Sequence, residues 1–267
     1  MGLRVIMKNE IAELCGAIMG DGWICSSEKS LFIAGDPLED KDYYDKNISK
    51  LIKDVLNIDT IPKFFPYWRV YGIGVYKKEK IKKLLGFGLK KGKKVDVAFI
   101  PEWILGDKKL FFNFLRGLFD TDGSVFCERD YTKYATKYNS KYHTRIRLRI
   151  GLISPLLINQ IYDQLQKFNF KCTKRKLIRG FKHNRNNHDV YILEINSKWV
   201  KEFFNRVKPH NPKHITKYKI WKEFGFLPPK TTLEQRKEII KKNINPYIFY
   251  NAGVSERSNE TDSKSVA

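Results

Sequence analysis

Leu14-Cys15-Gly16-Ala17-Ile18-Met19-Gly20-Asp21-Gly22 and Leu115-Arg116-Gly117-Leu118-Phe119-Asp120-Thr121-Asp122-Gly123 decide how this chain folds. Leucine, glycine, a hydrophobe and a closing Asp-Gly recur at matching places, and Asp122 follows Asp21 at an offset of 101 residues. What comes after each copy recurs as well. Apolar spacing predicts a strand-like stretch over 23–34, a helix over 41–57, a hairpin from 61–65 and 68–76, and a short helix over 79–85. After Gly123 it predicts strands over 124–131 and 145–153. A helix over 155–168 follows, with Ser154 as cap and Pro155 at its first position. A hairpin from 174–179 and 190–195 and a closing helix over 198–207 complete the second set. A repeat of this length marks two copies of one structural unit. The fold class is therefore α+β, with two pseudo-symmetric α-β-β-α-β-β-α units over 8–106 and 107–210. Pro209 to Pro212 reads as a break. A helical extension over 211–250 follows, with a helix over 232–243, and the polar stretch 251–267 is expected to be disordered.

The nonamers read as the ends of two helices. Gly16 and Gly20 are four apart and share a face, as do Gly117 and Thr121. Small residues so spaced let two helix backbones approach closely. Glycine inside a helix costs about 1 kcal/mol against alanine. Two copies accepting that cost on the same face predict that the helices pack on each other through Gly16, Gly20, Gly117 and Thr121. Their ends then bring Asp21 and Asp122 side by side. A carboxylate at a helix C-terminus opposes the local partial charge, and a second carboxylate beside it adds repulsion. A divalent cation with oxygen ligands relieves both, which points to metal-assisted phosphodiester hydrolysis. Asp120 competes with Asp122 for this role. It aligns with Met19 rather than Asp21, so it is set aside and Asp120→Asn is expected to keep activity.

Composition agrees with a polyanionic partner. The 267 residues carry 51 Lys and Arg against 29 Asp and Glu, a net charge of +22. Such an excess self-repels in a folded protein and suits nucleic acid. With 42% hydrophobic residues the chain can bury a core. No apolar run reaches the length of a membrane span, so no membrane partner is expected. Residues 1–10 have no apolar signal segment, so the chain is not expected to be secreted; the cytoplasm or nucleoid of a prokaryote, or an organelle, is expected. Cys15, Cys25, Cys127 and Cys172 lack metal-ligand spacing and read as reduced thiols.

The two nonamers resemble the motif of the LAGLIDADG homing endonucleases, and the pattern runs from Ile11 to about Val207. The first copy departs at Cys15, Met19 and Gly20, the second at Arg116 and Thr121; these are packing positions, and both acids are kept. Resemblance to the double-motif members implies a monomer that cuts long double-stranded DNA sites with magnesium, or manganese, and leaves short 3′ overhangs. It implies motif helices at the interface of the two half-domains and saddle-shaped antiparallel sheets on the major groove. It places Gly20 and Thr121 with Asp21 and Asp122 at the metal. It also implies a lysine near the scissile phosphates after each closing helix: Lys94 from the run Lys90, Lys91, Lys93 and Lys94, and Lys213 or Lys217 in the second unit.

The strands suggest what would touch DNA. Arg145-Ile146-Arg147-Leu148-Arg149-Ile150 alternates strictly, so three arginines share one strand face with no acid between them. Arginine reads guanine edges and clamps phosphates. Lys133 and Lys137 lie in a long basic-aromatic connection, and Lys174, Lys176, Arg179 and Arg185 in the second hairpin. The first unit is less charged, with Lys29, Lys63, Arg69 and Tyr71 as candidates, so an asymmetric target is expected. Two other functions stay open on the same fold: an RNA maturase with intron RNA as partner, and a DNA-binding regulator without cleavage. An intein-embedded enzyme is disfavoured, because the first nonamer starts near residue 14.

Overall fold

The computed structural model of the chain describes residues 2–178 and 189–250. Both nonamers end long helices, Gly2–Asp21 and Lys108–Asp122. The second starts at Asp107, whose carboxylate accepts from the Lys109 and Leu110 N–H groups at 2.7 and 3.0 Å. Those donors have no partner inside the helix, so the cap is what starts it. Each motif helix runs directly into a strand at the glycine of its Asp-Gly pair.

The strands are β1 (Gly22–Ile24), β2 (Leu31–Gly35), β3 (Lys63–Phe65), β4 (Val70–Val75), β5 (Gly123–Arg129), β6 (His143–Leu152), β7 (Cys172–Leu177) and β8 (Val190–Ile195). They make two four-stranded sheets, in the orders β1-β2-β4-β3 and β5-β6-β8-β7. The second order is the first shifted by four, and the described registers are antiparallel. In the first set Lys41–Tyr43, a π-helical turn Tyr44–Ile48 and Ser49–Leu56 join end to end between the two hairpins. In the second that place is held by Pro155–Lys167, where the Ser154 hydroxyl accepts from the Leu157 N–H. Lys78–Gly86 and Ser197–Val207 close the sets. The α-β-β-α-β-β-α order is therefore present twice, the second time with a short helix, Lys137–Lys141, inserted between β5 and β6.

By contact the chain forms two compact units, divided between Ser124 and Val125, Arg147 and Leu148, and His214 and Ile215. Both motif helices and the whole first sheet belong to one unit. Its centre is the helix pair, where Leu14, Cys15, Ala17, Phe111, Phe114, Leu115 and Leu118 are all fully buried. The glycines set how close the helices come. A β-carbon added at Gly16 would collide with the Phe114 carbonyl, and one at Gly117 with the Glu13 carbonyl. One at Gly20 would collide with the Thr121 hydroxyl. The backbones thus touch at the positions the repeat picked out.

The other unit holds the outer parts of β5 and β6 and most of the extension. Pro212, read from sequence as part of a break, instead begins the helix Pro212–Phe224. Proline's missing N–H costs nothing in a first turn. The helix Leu233–Ile240 starts at Thr232 with a capping box closed by Gln235. Around Phe226 the rings of Tyr138, Tyr142, Tyr247 and Tyr250 pack within 6.4 Å between centroids. Tyr138 and Tyr142 of the long basic-aromatic connection therefore pack against Phe226 in this unit, Tyr142 half-buried and Tyr138 still exposed. No described helix is long and apolar enough to cross a membrane. The expected disordered stretch 251–267 lies outside the described residues.

Gly117→Val forces a side chain into the Glu13 backbone and is expected to destabilise the protein by more than about 2 kcal/mol. Gly86→Ala, where the added carbon meets open space, should stay within about 0.5 kcal/mol of the parent. Denaturant unfolding of the two variants checks this; equal stability would mean that the helices can separate without cost.

Candidate active site

The helix pair delivers Asp21 and Asp122 to one place, both half-buried. A β-carbon at Gly20 would stand 3.4 Å from the Asp122 carboxylate, and one at Gly35 would stand 3.0 Å from that of Asp21. The Tyr44 hydroxyl donates to Asp21 Oδ2 at 3.0 Å. Tyr44 reaches it from the π-helical turn, a feature that often marks functional sites. Burial, and next the charge of Asp122, push the Asp21 carboxyl up to about 7, with Lys213 pulling the other way. Burial also raises Asp122, opposed by Lys94 and Lys213.

Two lysines complete a pseudo-symmetric arrangement. The Lys94 ammonium donates to the Gly20 carbonyl, and Lys213 donates to the Thr121 carbonyl at 3.2 Å. Each lysine therefore binds the carbonyl one residue before an aspartate. This selects Lys213 over Lys217 as the counterpart of Lys94; Lys217 lines a separate cavity with Cys127 and Pro228. Burial lowers the Lys94 pKa, against the pull of Asp122 and Asp21. Lys213 also pairs with the buried Asp40 at 2.8 Å. Gly20 and Thr121 keep a second acceptor position on each carbonyl. The donor set of carboxylates and carbonyls is all oxygen, which fits magnesium or manganese.

Asp120 does more than its set-aside reading allowed. It is fully buried, and its carboxylate accepts from the backbone N–H of His210 at 2.8 Å and of Asn211 at 3.1 Å. Asn211 Nδ2 donates to the Asp120 carbonyl and to Asp40 Oδ1 at 2.8 and 2.7 Å. The His210 ring meets Glu13 at 2.9 Å, and Arg116 joins Glu13 Oε2 and the Val207 carbonyl at 2.8 and 2.7 Å. These contacts tie the strap 207–213 across the motif helices and set Lys213 in the site. Glu13, Asp40, Tyr44 and Asn211 carry no signal in the repeat, since their counterparts differ. Only their distances in space reveal them.

The expected DNA-facing residues divide. Arg145, Arg147 and Arg149 alternate with buried Ile146, Leu148 and Ile150, as predicted. No acid interrupts them within the strand, but neighbouring strands supply partners: Arg147 pairs with Glu128 and Arg149 with Glu194. Lys174 and Lys176 lie opposite Leu193 and Tyr191, on the helix-packed face rather than the outer one. Lys174 binds Asn159 and Lys176 binds Asp189. The outward residue between them is Arg175, opposite Ile192. Tyr71 likewise shares the inner face with Ile73 and Val75, and its hydroxyl donates to Asp45 at 2.6 Å. Lys29, Lys63, Arg69, Lys133 and Lys137 are exposed. Arg179 and Arg185 lie outside the described residues.

The LAGLIDADG-like domain family matches residues 111–208. The chain carries a LAGLIDADG-like domain. The match takes in the second nonamer and the elements that follow it. Comparison with curated proteins finds no match. Among solved structures the chain is similar to the homing endonuclease I-DmoI in complex with DNA and Ca, at 17% identity and a TM-score of 0.49, covering 75% of this chain and 90% of that one. It is similar to the N-terminal LAGLIDADG domain of DUF199/WhiA, at 18% identity and 0.46, covering 76% and 83%. It is also similar to full-length DUF199/WhiA from Thermatoga maritima, at 17% and 0.43, covering 96% and 70%.

Two measurements follow. Asp120→Asn leaves one backbone N–H of the strap without an acceptor, so stability should fall by about 1–3 kcal/mol; unchanged unfolding would free Asp120 of this role. A carboxyl raised to about 7 favours its protonated form in the folded state. Stability of the metal-free protein should therefore fall as pH climbs from about 4 to about 7, then level. Asp21 and Asp120 both contribute with this sign. Asp21→Asn should flatten the slope; an unaltered profile would contradict the shift.

Proposed function

We propose that the chain is a site-specific double-strand DNA endonuclease, a homing endonuclease that hydrolyses phosphodiesters with a divalent metal at a long asymmetric target. One observation carries the reading: Asp21 and Asp122, contributed by two repeats, meet at the ends of paired helices, each beside a carbonyl held by a lysine. A regulator that only binds DNA has no need of two desolvated carboxylates at one point. The +22 charge supplies attraction for the duplex. Both acids stand in one chain, so the active form is a monomer.

Asp21, Asp122 and the Gly20 and Thr121 carbonyls would hold magnesium or manganese. The bound ion would supply charge neutralisation at the phosphate and activation of the attacking water. The chain's own groups do the rest. Tyr44 fixes the rotamer of Asp21. Asp40 and Asn211 hold Lys213 toward the phosphates. Lys94, its proton loosened by burial, can pass that proton to the leaving oxygen. Differing outer faces on the two sheets suit different half-sites.

Asp21→Asn and Asp122→Asn keep shape but remove charge. Each should abolish plasmid cleavage in magnesium, with activity down by at least about a hundredfold, while gel-shift affinity in calcium is kept. Full cleavage by the Asp21 variant would overturn the assignment. Wild-type binding without any cleavage, across a randomised duplex library, would favour the regulator.

A further inference from the structure

The outer face of the first sheet is built differently from that of the second. Pairing sets which residues share it: Trp23 lies opposite Phe32, Phe32 opposite Gly74, Ala34 opposite Gly72, and Lys63 opposite Gly72. These strand positions hold no acid and no amide, and Lys63 is their single charge. Phe32 is the hub. Trp23 lies nearly parallel to it at 5.9 Å and 19°, while Phe65, Trp68 and Tyr76 stand edge-on within 5.9 Å. Gly74 leaves room for this, since a β-carbon there would stand 2.6 Å from the Tyr76 hydroxyl. Trp23, Trp68 and Tyr76 remain 48%, 53% and 61% exposed. So much exposed aromatic surface on one sheet face marks a contact surface.

The face begins two residues after Asp21, on the strand that leaves the motif helix. It is therefore continuous with the proposed catalytic end. Exposed Lys29 and Arg69 on turns of the same sheet add positive charge. A duplex held there meets aromatic rings instead of hydrogen-bonding side chains. The apolar group on a base edge in the major groove is the thymine methyl. The second sheet offers Arg149 and Arg175 on its outer face instead, hydrogen-bonding guanidinium groups set around Glu194.

We infer that the first sheet recognises its half-site by apolar contact with thymine methyl groups, so that one half of the target is thymine-rich and read without direct hydrogen bonds. This rests on the endonuclease reading and adds the chemistry of one half-site to it.

The test uses the intact chain. Sites are selected by cleavage of a randomised duplex library in magnesium. The best site is rebuilt with deoxyuridine for thymidine, one half at a time, which removes methyls and leaves pairing and charge unchanged. Affinity in calcium should fall about fourfold per methyl lost in one half, and by less than about twofold in the other. Trp68→Ala, in an exposed turn, should erase that sensitivity. Equal affinity with deoxyuridine in either half would overturn the inference while leaving the nuclease intact, as would a selected site without thymine in either half. If the variant does not fold, the deoxyuridine series decides alone. Tighter binding to a single-stranded oligonucleotide than to any duplex, with no cleavage, would refute the inference and the endonuclease reading together.

Discussion

The backbone contact between the two motif helices is the constraint on which the rest depends. Gly16 against the Phe114 carbonyl and Gly117 against the Glu13 carbonyl leave no room for a side chain. That approach forces the two helix ends together and with them Asp21 and Asp122. Both ends oppose carboxylate charge, and the two carboxylates oppose each other. The fold thus holds an electrostatic cost at one point. Lys94 and Lys213 offset part of it from the carbonyls just before each acid, while burial, joined at Asp21 by the charge of Asp122, keeps both carboxyls above their usual range.

Symmetry explains much of the site but not all of it. The two sheets share one strand order, and the lysines bind equivalent carbonyls. The strap 207–213 breaks the pattern. Asp120 anchors it through two backbone N–H groups, whereas the aligned residue of the first copy, Met19, has nothing to accept with. Asp40, on the first copy's side, completes the hold on Lys213. The two lysines are therefore not interchangeable: Lys213 is fixed by a buried ion pair, Lys94 by a carbonyl and burial.

What could be read from residues alone followed from local pattern. The repeat, the small residues on one helix face, the two acids and the alternation of β6 are all short-range signals, and each stands in the structure. Strand faces are another matter. Side chains alternate with a period of two, so a charged pair such as Lys174 and Lys176 looks alike on either face until register is known. Pairing with β8 put both on the helix side of the sheet, where they stay exposed, and left Arg175 on the opposite face. Tyr71 turned inward to Asp45 for the same reason. Asp120 and Asn211, or Glu13 and His210, are far apart in the chain. Their meeting depends on the helix contact, so no spacing rule could announce it. The aromatic face of the first sheet was hidden likewise, because its rings come from four separate segments.

If the paired helices make one metal-binding site from Asp21 and Asp122, both carboxylates must share an ion. Anomalous diffraction from crystals soaked in manganese tests it most directly. Manganese is expected within coordination distance of both carboxylates, and is expected to be lost in Asp21→Asn. Manganese held instead by Glu13, Asp120 and His210, the other acidic grouping near the strap, or by one aspartate without the other, would contradict it.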